Sequence, residues 1–394
     1  MSLDYSSLLN ETLCGLKPSG IRRFFDLLGD HRDAISLTVG QPDFITPWHI
    51  RAAGIESLEH GKTYYTSNSG MAELRHELCA YLDRRFDLHY KPEQTLITVG
   101  GSEAIDLAVR ACIRPGDEVI LPTPCYVCYD PLVQMAGGRI VPIELQERDL
   151  FRLTPAQLRA AITPRTKMLI LPFPNNPTGS IMTRADLEAI AEVLRGTNIL
   201  VLSDEIYAEL SYSGRHASIA AVEGMWERTI LASGFSKAYA MTGWRLGYLA
   251  APDPILNQML KLHQFAIMCA PTTAQFAAID ALRNGDEDVD RMTAEYNRRR
   301  NYIVYELNRI GLPCFTPEGA FYVYPNIRRF GMSSEEFCTK MLDDYGVAIV
   351  PGTAFGDCGE GYARISYAYS IKHIDEALSR MARFVGDFEA GRLI

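Results

Sequence analysis

Between about residues 95 and 251 the chain repeats one hydrophobic pattern. A short, almost wholly apolar run gives way to a glycine- or proline-bearing turn, and often then to a stretch whose apolar residues recur at helical spacing. Seven such runs can be read: "TLITVG" from residue 95, "DEVILP" from 117, "GRIVPIEL" from 138, "TKMLILPF" from 166, "NILVLS" from 198, "RTILAS" from 228 and "LGYLAA" from 246. Runs apolar at consecutive positions, rather than at alternate ones, predict strands covered on both faces, as in a mostly parallel sheet between helices. The stretch "SEAIDLAVRACI" after the first run places Ile105, Ala108, Val109 and Cys112 on one helical face. Two further helices carry their own start signals, Thr154-Pro155 with Gln157 and Thr183 with Asp186, the second running to Gly196. This is the pattern of an α/β fold.

After about residue 285 the texture changes. A long polar helix, "DVDRMTAEYNRRRNYIVYELNRIG", leads into "GAFYVYPNI", "GVAIVPG" and "YARISYA", which read as strands of a smaller α+β unit. The expected organisation is a large domain over 46–284 and a small one built from 1–45 with 285–394.

Composition narrows the class. The 394 residues are 47% hydrophobic and 22% charged with a formal net charge of −9, which suits a globular protein and disfavours nucleic acid or an anionic membrane as the main partner. The N-terminal "MSLDYSSLLNETLCGLKPSG" lacks the charge-then-apolar layout of a signal peptide, so a cytoplasmic location is expected. Nine cysteines form no secretory framework. Cys125 and Cys128 make one C-x-x-C without a second half-site, and the histidines form no H-x-x-x-H pair, so the sequence offers no metal centre.

In such sheets ligands bind beyond the carboxyl ends of the strands, and polar residues gather there. "TLITV" is followed by Gly100-Gly101-Ser102-Glu103, which opens a helix and offers backbone N–H groups to an anion, although many plain turns look the same. "KMLILP" is followed by Asn175 and Asn176 in a tight turn. Asp204 directly follows the run "NILVLS", where a helix cap is an equal reading, with Tyr207 three residues on. "RTILAS" leads to "SGFSKAYAMTGWRLG", in which Lys237 stands among small, aromatic and hydroxyl residues and Arg245 offers a planar fork to a phosphate. An amine nucleophile, an isolated carboxylate, a phenol, an amide and two phosphate binders at one sheet edge match the needs of pyridoxal 5′-phosphate.

Over nearly its whole length the chain resembles the class I/II aminotransferases of the fold-type I pyridoxal-phosphate enzymes. The matching segments run in family order: "SLTVGQPDF", "YYTSNSGMAELR", "TVGGSEAI", "PTPCYVCY", "NNPTG", "SDEIY", "SGFSKAYAMTGWRLGY", "GAFYVYP" and "YARISYA". The resemblance implies a seven-stranded, mostly parallel sheet sandwiched by helices, plus a smaller α+β domain. It implies that Lys237 holds the cofactor as an imine and later shuttles a proton, that Asp204 pairs with the ring nitrogen, and that Asn176 and Tyr207 bond the ring's phenolic oxygen. Tyr126 would stack on the ring. Gly101, Ser102, Glu103, Arg245 and Ser236 would contribute to the cofactor site, chiefly at the phosphate. Many relatives carry a serine where this chain has Gly234, so Ser236 or Ser233 must supply that hydroxyl. Arg364 would clamp the substrate carboxylate with Gly40 and Asn176 nearby, and Tyr65 would reach the phosphate in a neighbouring subunit, which implies a homodimer.

The implied activity is ping-pong transfer of an amino group from an L-amino acid to a 2-oxo acid. Segments such as "SGIRRF" and "GEGYARISYA" are most similar to the bacterial N-acetyl-diaminopimelate and aromatic aminotransferase branch, while Arg22 and Arg110 have no assigned role. Two other classes stay open on sequence: another pyridoxal-phosphate chemistry, such as a carbon–sulfur lyase or cyclopropane-forming synthase, and a non-enzymatic ligand sensor. The sensor is disfavoured because a family motif already occupies residue 40, leaving no room upstream for a DNA-binding module.

Overall fold

Why the apolar runs are continuous is answered by what packs on each side of them. In the computed structural model, which describes residues 3, 5–18, 20 and 33–392, strand β1 spans Ile35–Ser36 and the seven runs become β2 (Thr95–Thr98), β3 (Glu118–Thr123), β4 (Arg139–Glu144), β5 (Thr166–Leu171), β6 (Leu200–Asp204), β7 (Thr229–Gly234) and β8 (Gly247–Ala250). They form one sheet in the order β2-β8-β7-β6-β5-β3-β4. Along β5, Met168 and Ile170 join the cluster under helix Gly100–Cys112, whereas Leu169 and Leu171 join the cluster under helix Arg184–Leu194. Successive side chains of a strand point to opposite faces, so a sheet covered on both sides needs apolar residues at every position.

Strand β8 runs antiparallel to both its neighbours, β2 and β7, while the other pairings are parallel. Its reversal follows from the connection. Residues 235–246 hold only a 3-10 turn, Thr242–Trp244, and a parallel return needs a crossover of a dozen or more residues, usually helical. The capping signals are realised: Thr154 and Gln157 form a reciprocal capping box at helix Pro155–Ala161, and Thr183 and Asp186 one at Arg184–Leu194.

The long polar helix spans Asp286–Arg309. Beyond it lie β9 (Tyr322–Val323), β10 (Val347–Ala348), β11 (Val350–Pro351) and β12 (Ala363–Ser366). The segment "GVAIVPG" is not one strand. Its first part pairs with β1 in parallel, its second joins the antiparallel sheet β11-β12-β9, and Ile349 lies between them. Tyr207 and Ala240, from loops of the large sheet, belong to the same hydrophobic cluster as this second sheet, so the two sheets meet at the site's edge. Among the described residues no helix is long and apolar enough to cross a membrane. Arg22 and most of "SGIRRF" lie outside the described residues.

Candidate active site

The strand ends open onto one cavity of about 680 Å³ lined by residues from both sheets. The structure brings together there Gly40, Gly101, Ser102, Tyr126, Asn176, Asp204, Tyr207, Ser236, Lys237, Arg245 and Arg364. Asp204 ends β6, is 7% exposed, and accepts hydrogen bonds from Tyr129 Oη at 2.7 Å and Ile206 N at 3.1 Å. Burial raises its carboxyl to about 6, against the pull of those two donors and of Lys237.

Lys237 follows β7. Its surface is only half-buried, but its amine end is enclosed, with Nζ donating to Gly40 O at 2.7 Å. Desolvation, then the Arg364 and Arg245 charges, lower the amine to about 8, and Asp204 opposes them. Arg364, on β12, is 2% exposed: Nη1 donates to Asn176 Oδ1 at 3.0 Å and Nη2 to Thr38 O. Its Nε is buried without a partner, and its guanidinium lies 4.6 Å from the Tyr322 ring.

The anion turn is built by close approach. A Cβ on Gly247 would fall 2.5 Å from Gly100 C and 2.7 Å from Gly101 N, so β8 can pass under the helix start only as glycine. Arg245 sits at φ +53°, an uncommon conformation for a side-chain-bearing residue, and its Nη2 comes within 2.8 Å of where a Gly100 Cβ would stand. The two serines differ. Ser233 Oγ donates to Glu205 O at 3.1 Å, whereas Ser236 lines the cavity. A side chain at Gly234 would meet Gly247 Cα at 2.9 Å, so the strands as packed leave no room for a serine there.

Residues 32–381 match the family model described as aminotransferase class I and II. YugH of Bacillus subtilis (strain 168), itself an aminotransferase by assignment only, is 52% identical over 96% of this chain and 99% of its own length. A second protein of that strain, assigned as an N-acetyl-LL-diaminopimelate aminotransferase, is 43% identical over 96% of each chain. The aromatic aminotransferase from Pyrococcus horikoshii OT3 superposes with a TM-score of 0.89 at 41% identity, covering 94% of this chain and 99% of that one. The chain is a class I/II aminotransferase.

Enzymes of this family use pyridoxal 5′-phosphate, and the residues in the aminotransferase's cavity fit that group. The lowered lysine amine, the buried carboxylate, the helix start crossed by Arg245 and the orphaned Arg364 Nε supply donors and acceptors of the kinds an aldehyde, a pyridinium, a phosphate and a carboxylate require.

Two expected residues lie elsewhere. Glu103 does not line the cavity: Oε2 accepts from Val99 N and Oε1 bonds His263 Nδ1 at 2.7 Å, so its side chain is committed on the far side of the turn. Tyr65 is 78% exposed and outside this subunit's cavity. Arg110 is also remote, paired with Asp106 along its own helix. Asn175 is internal to its turn, with Oδ1 accepting from Thr178 Oγ1 at 2.8 Å.

Sequence reasoning assigned no role to Tyr129 or Tyr322. Tyr129 holds Asp204, and Tyr322 Oη lies 2.7 Å from Tyr207 Oη. Both stand in segments read as family motifs, "PTPCYVCY" and "GAFYVYP", but nothing in their spacing names a partner 75 or 115 residues away.

Proposed function

We propose that the enzyme moves the amino group of an L-amino acid to a 2-oxo acid in two half-reactions, with Lys237, Asp204 and Tyr207 as catalytic residues. One observation carries this assignment: a lysine amine drawn down to about 8 and a carboxyl pushed up to about 6 open into the same cavity. When bound, pyridoxal phosphate supplies the carbonyl that takes up the donor's nitrogen and an electron sink for charge at its α-carbon. Lys237 Nζ takes and returns the α-proton, a task suited to an amine that is partly neutral near neutral pH. Asp204, ionised above about pH 6, keeps the ring nitrogen protonated. Asn176 and Tyr207 bond the phenolic oxygen, with Tyr322 fixing the Tyr207 hydroxyl, and Tyr126 covers the ring. Gly101, Ser102, Ser236 and Arg245 bind the phosphate. The place of Ser236 on the cavity wall, against the engaged hydroxyl of Ser233, supports that choice.

Arg364 clamps the substrate α-carboxylate beside Gly40 and Asn176. A bidentate fork is not replaced by a point charge, so Arg364→Lys is expected to lower kcat/KM for the amino donor about a hundredfold. Stopped-flow measurement of the first half-reaction checks this, and a loss under threefold would remove the clamp.

For the donor side chain we favour an aromatic group. Among the described lining residues the cations are Lys237, Arg245 and Arg364, each already assigned, and Tyr126, Tyr322, Val39 and Val127 also line the cavity. The N-acetyl-diaminopimelate reading rests on the 43% identical relative. A panel of aromatic donors, N-acetyl-LL-diaminopimelate and aspartate, scored by bleaching of the bound cofactor's absorbance and its recovery with 2-oxo acids, separates them. Pyruvate and ammonia without that bleaching would instead indicate a lyase.

We also propose a homodimer in which Tyr65 completes the partner's phosphate site. Tyr64, Tyr65, Phe265 and Met268 are exposed, and the segments bearing them are tied by Asn68 Nδ2 donating to Met268 O and Thr272 Oγ1 to Tyr64 O. The division into 46–284 and 1–45 with 285–394 is proposed with it, supported by β1 pairing with β10.

A further inference from the structure

The helix Gly100–Cys112 starts without an ordinary cap: Val99 precedes it and offers no side-chain hydrogen bond. Glu103 lies in its first turn, where the helix dipole favours a carboxylate. An incoming phosphate seeks the same backbone N–H groups, so a free glutamate there would compete with it and repel it. The structure turns that carboxylate away. Oε2 reaches back to Val99 N, and Oε1 meets Nδ1 of His263 at 2.7 Å.

His263 is a firm anchor, 0% exposed on helix Asp253–Ala266. An ionised carboxylate only accepts, so Nδ1 carries the proton of this bond. Nε2 is buried without a partner, which leaves Glu103 as the ring's one recorded hydrogen-bond contact among the described residues. Across the turn, Arg245 and the backbone of β8 press on Gly100 and Gly101. The turn is therefore gripped from the cavity side by Arg245 and from behind by Glu103.

We propose that Glu103 is a positioning residue for the phosphate-binding turn, acting through Val99 and His263 and not by touching the cofactor; this rests on the cofactor reading above. Loss of the grip frees the Gly101 and Ser102 N–H groups to lose alignment, and only a ligand carrying a phosphate suffers.

The test compares binding of pyridoxal 5′-phosphate and of pyridoxal, which lacks the phosphate, to cofactor-stripped protein, read by absorbance. Glu103→Ala is expected to raise the Kd for pyridoxal phosphate about tenfold, the scale of one charge-assisted hydrogen bond, and to leave pyridoxal unchanged. Glu103→Gln, whose one amide oxygen can still accept from Val99 N while its NH2 meets Nδ1 only if the ring moves its proton to Nε2, should restore part of the loss. Should Glu103→Ala fail to fold, His263→Phe keeps the ring, removes Nδ1, and is expected to show the same phosphate-selective weakening. A glutamate acting by charge alone predicts the opposite sign, tighter phosphate binding in Glu103→Ala. That result, equal weakening of both ligands, or no change overturns the proposal. Wild-type protein that never captures pyridoxal phosphate overturns the cofactor reading instead, so the two failures are distinct.

Discussion

Alanine in place of Lys237 is expected to lower transamination about ten-thousandfold and to leave pyridoxal phosphate held without a covalent bond. The magnitude is the upper range for removing a positioned proton-transfer group, and this residue is also the proposed nucleophile. The environment explains why this lysine, and no surface lysine, is proposed for the work. Desolvation is the largest influence on its amine, the Arg364 and Arg245 charges add to it, and Asp204 only partly offsets them, leaving the amine at about 8 rather than 10.5. At pH 7 about one amine in ten is then neutral and able to attack a carbonyl, against fewer than about one in a thousand for an ordinary lysine. The rate at which cofactor-stripped wild type captures pyridoxal phosphate should therefore rise about tenfold per pH unit and level off near pH 8. Borohydride reduction and peptide mass analysis locate the bond. Label on another lysine, or capture that keeps accelerating past pH 10, would refute the role of Lys237.

The parts of the fold legible in the sequence are those written in short-range pattern. Continuous apolar runs betrayed two-faced burial, and Thr154 with Gln157 or Thr183 with Asp186 marked helix starts, because capping is settled within four residues. Strand order was not legible in this way. That β2 pairs with β8 depends on Thr95–Thr98 meeting Gly247–Ala250, far along the chain, and on a connection from β7 that holds a 3-10 turn and no crossover helix. The candidate site divides along the same line. Residue types at strand ends pointed to Lys237, Asp204 and Arg245, but side-chain direction is a tertiary property. Glu103 shares a motif with Gly101 and Ser102 and faces the other way, toward His263. Tyr129 has no assigned role until the fold places its hydroxyl on Asp204.

Asparagine in place of Asp204 is expected to do two opposite things, and the pair of effects tests the site more sharply than either alone. Activity should fall about a thousandfold, since a neutral amide cannot hold the ring nitrogen protonated. Stability of the cofactor-stripped protein should rise. Burial raises the Asp204 carboxyl from 3.8 to about 6, despite the Tyr129 and Ile206 hydrogen bonds that favour its charge. Between those pH values the native state binds the extra proton and the unfolded state does not, so the wild type loses stability as pH rises from about 4 to about 6 and carries the full penalty above it. A shift of that size corresponds to about 3 kcal/mol as an order of magnitude. Asparagine carries no such charge and can keep a bond to each neighbour, so urea denaturation should find it more stable than wild type at pH 7 and little different at pH 4. Equal stability at pH 7 would mean that the carboxylate is well solvated, and retained activity would mean that it faces no cofactor. A wild type that keeps a destabilising charge in its core is intelligible only if something of opposite sign meets that charge when the cofactor is bound. Saturating pyridoxal phosphate should accordingly stabilise wild type more than Asp204→Asn, which can be read in the same denaturation curves.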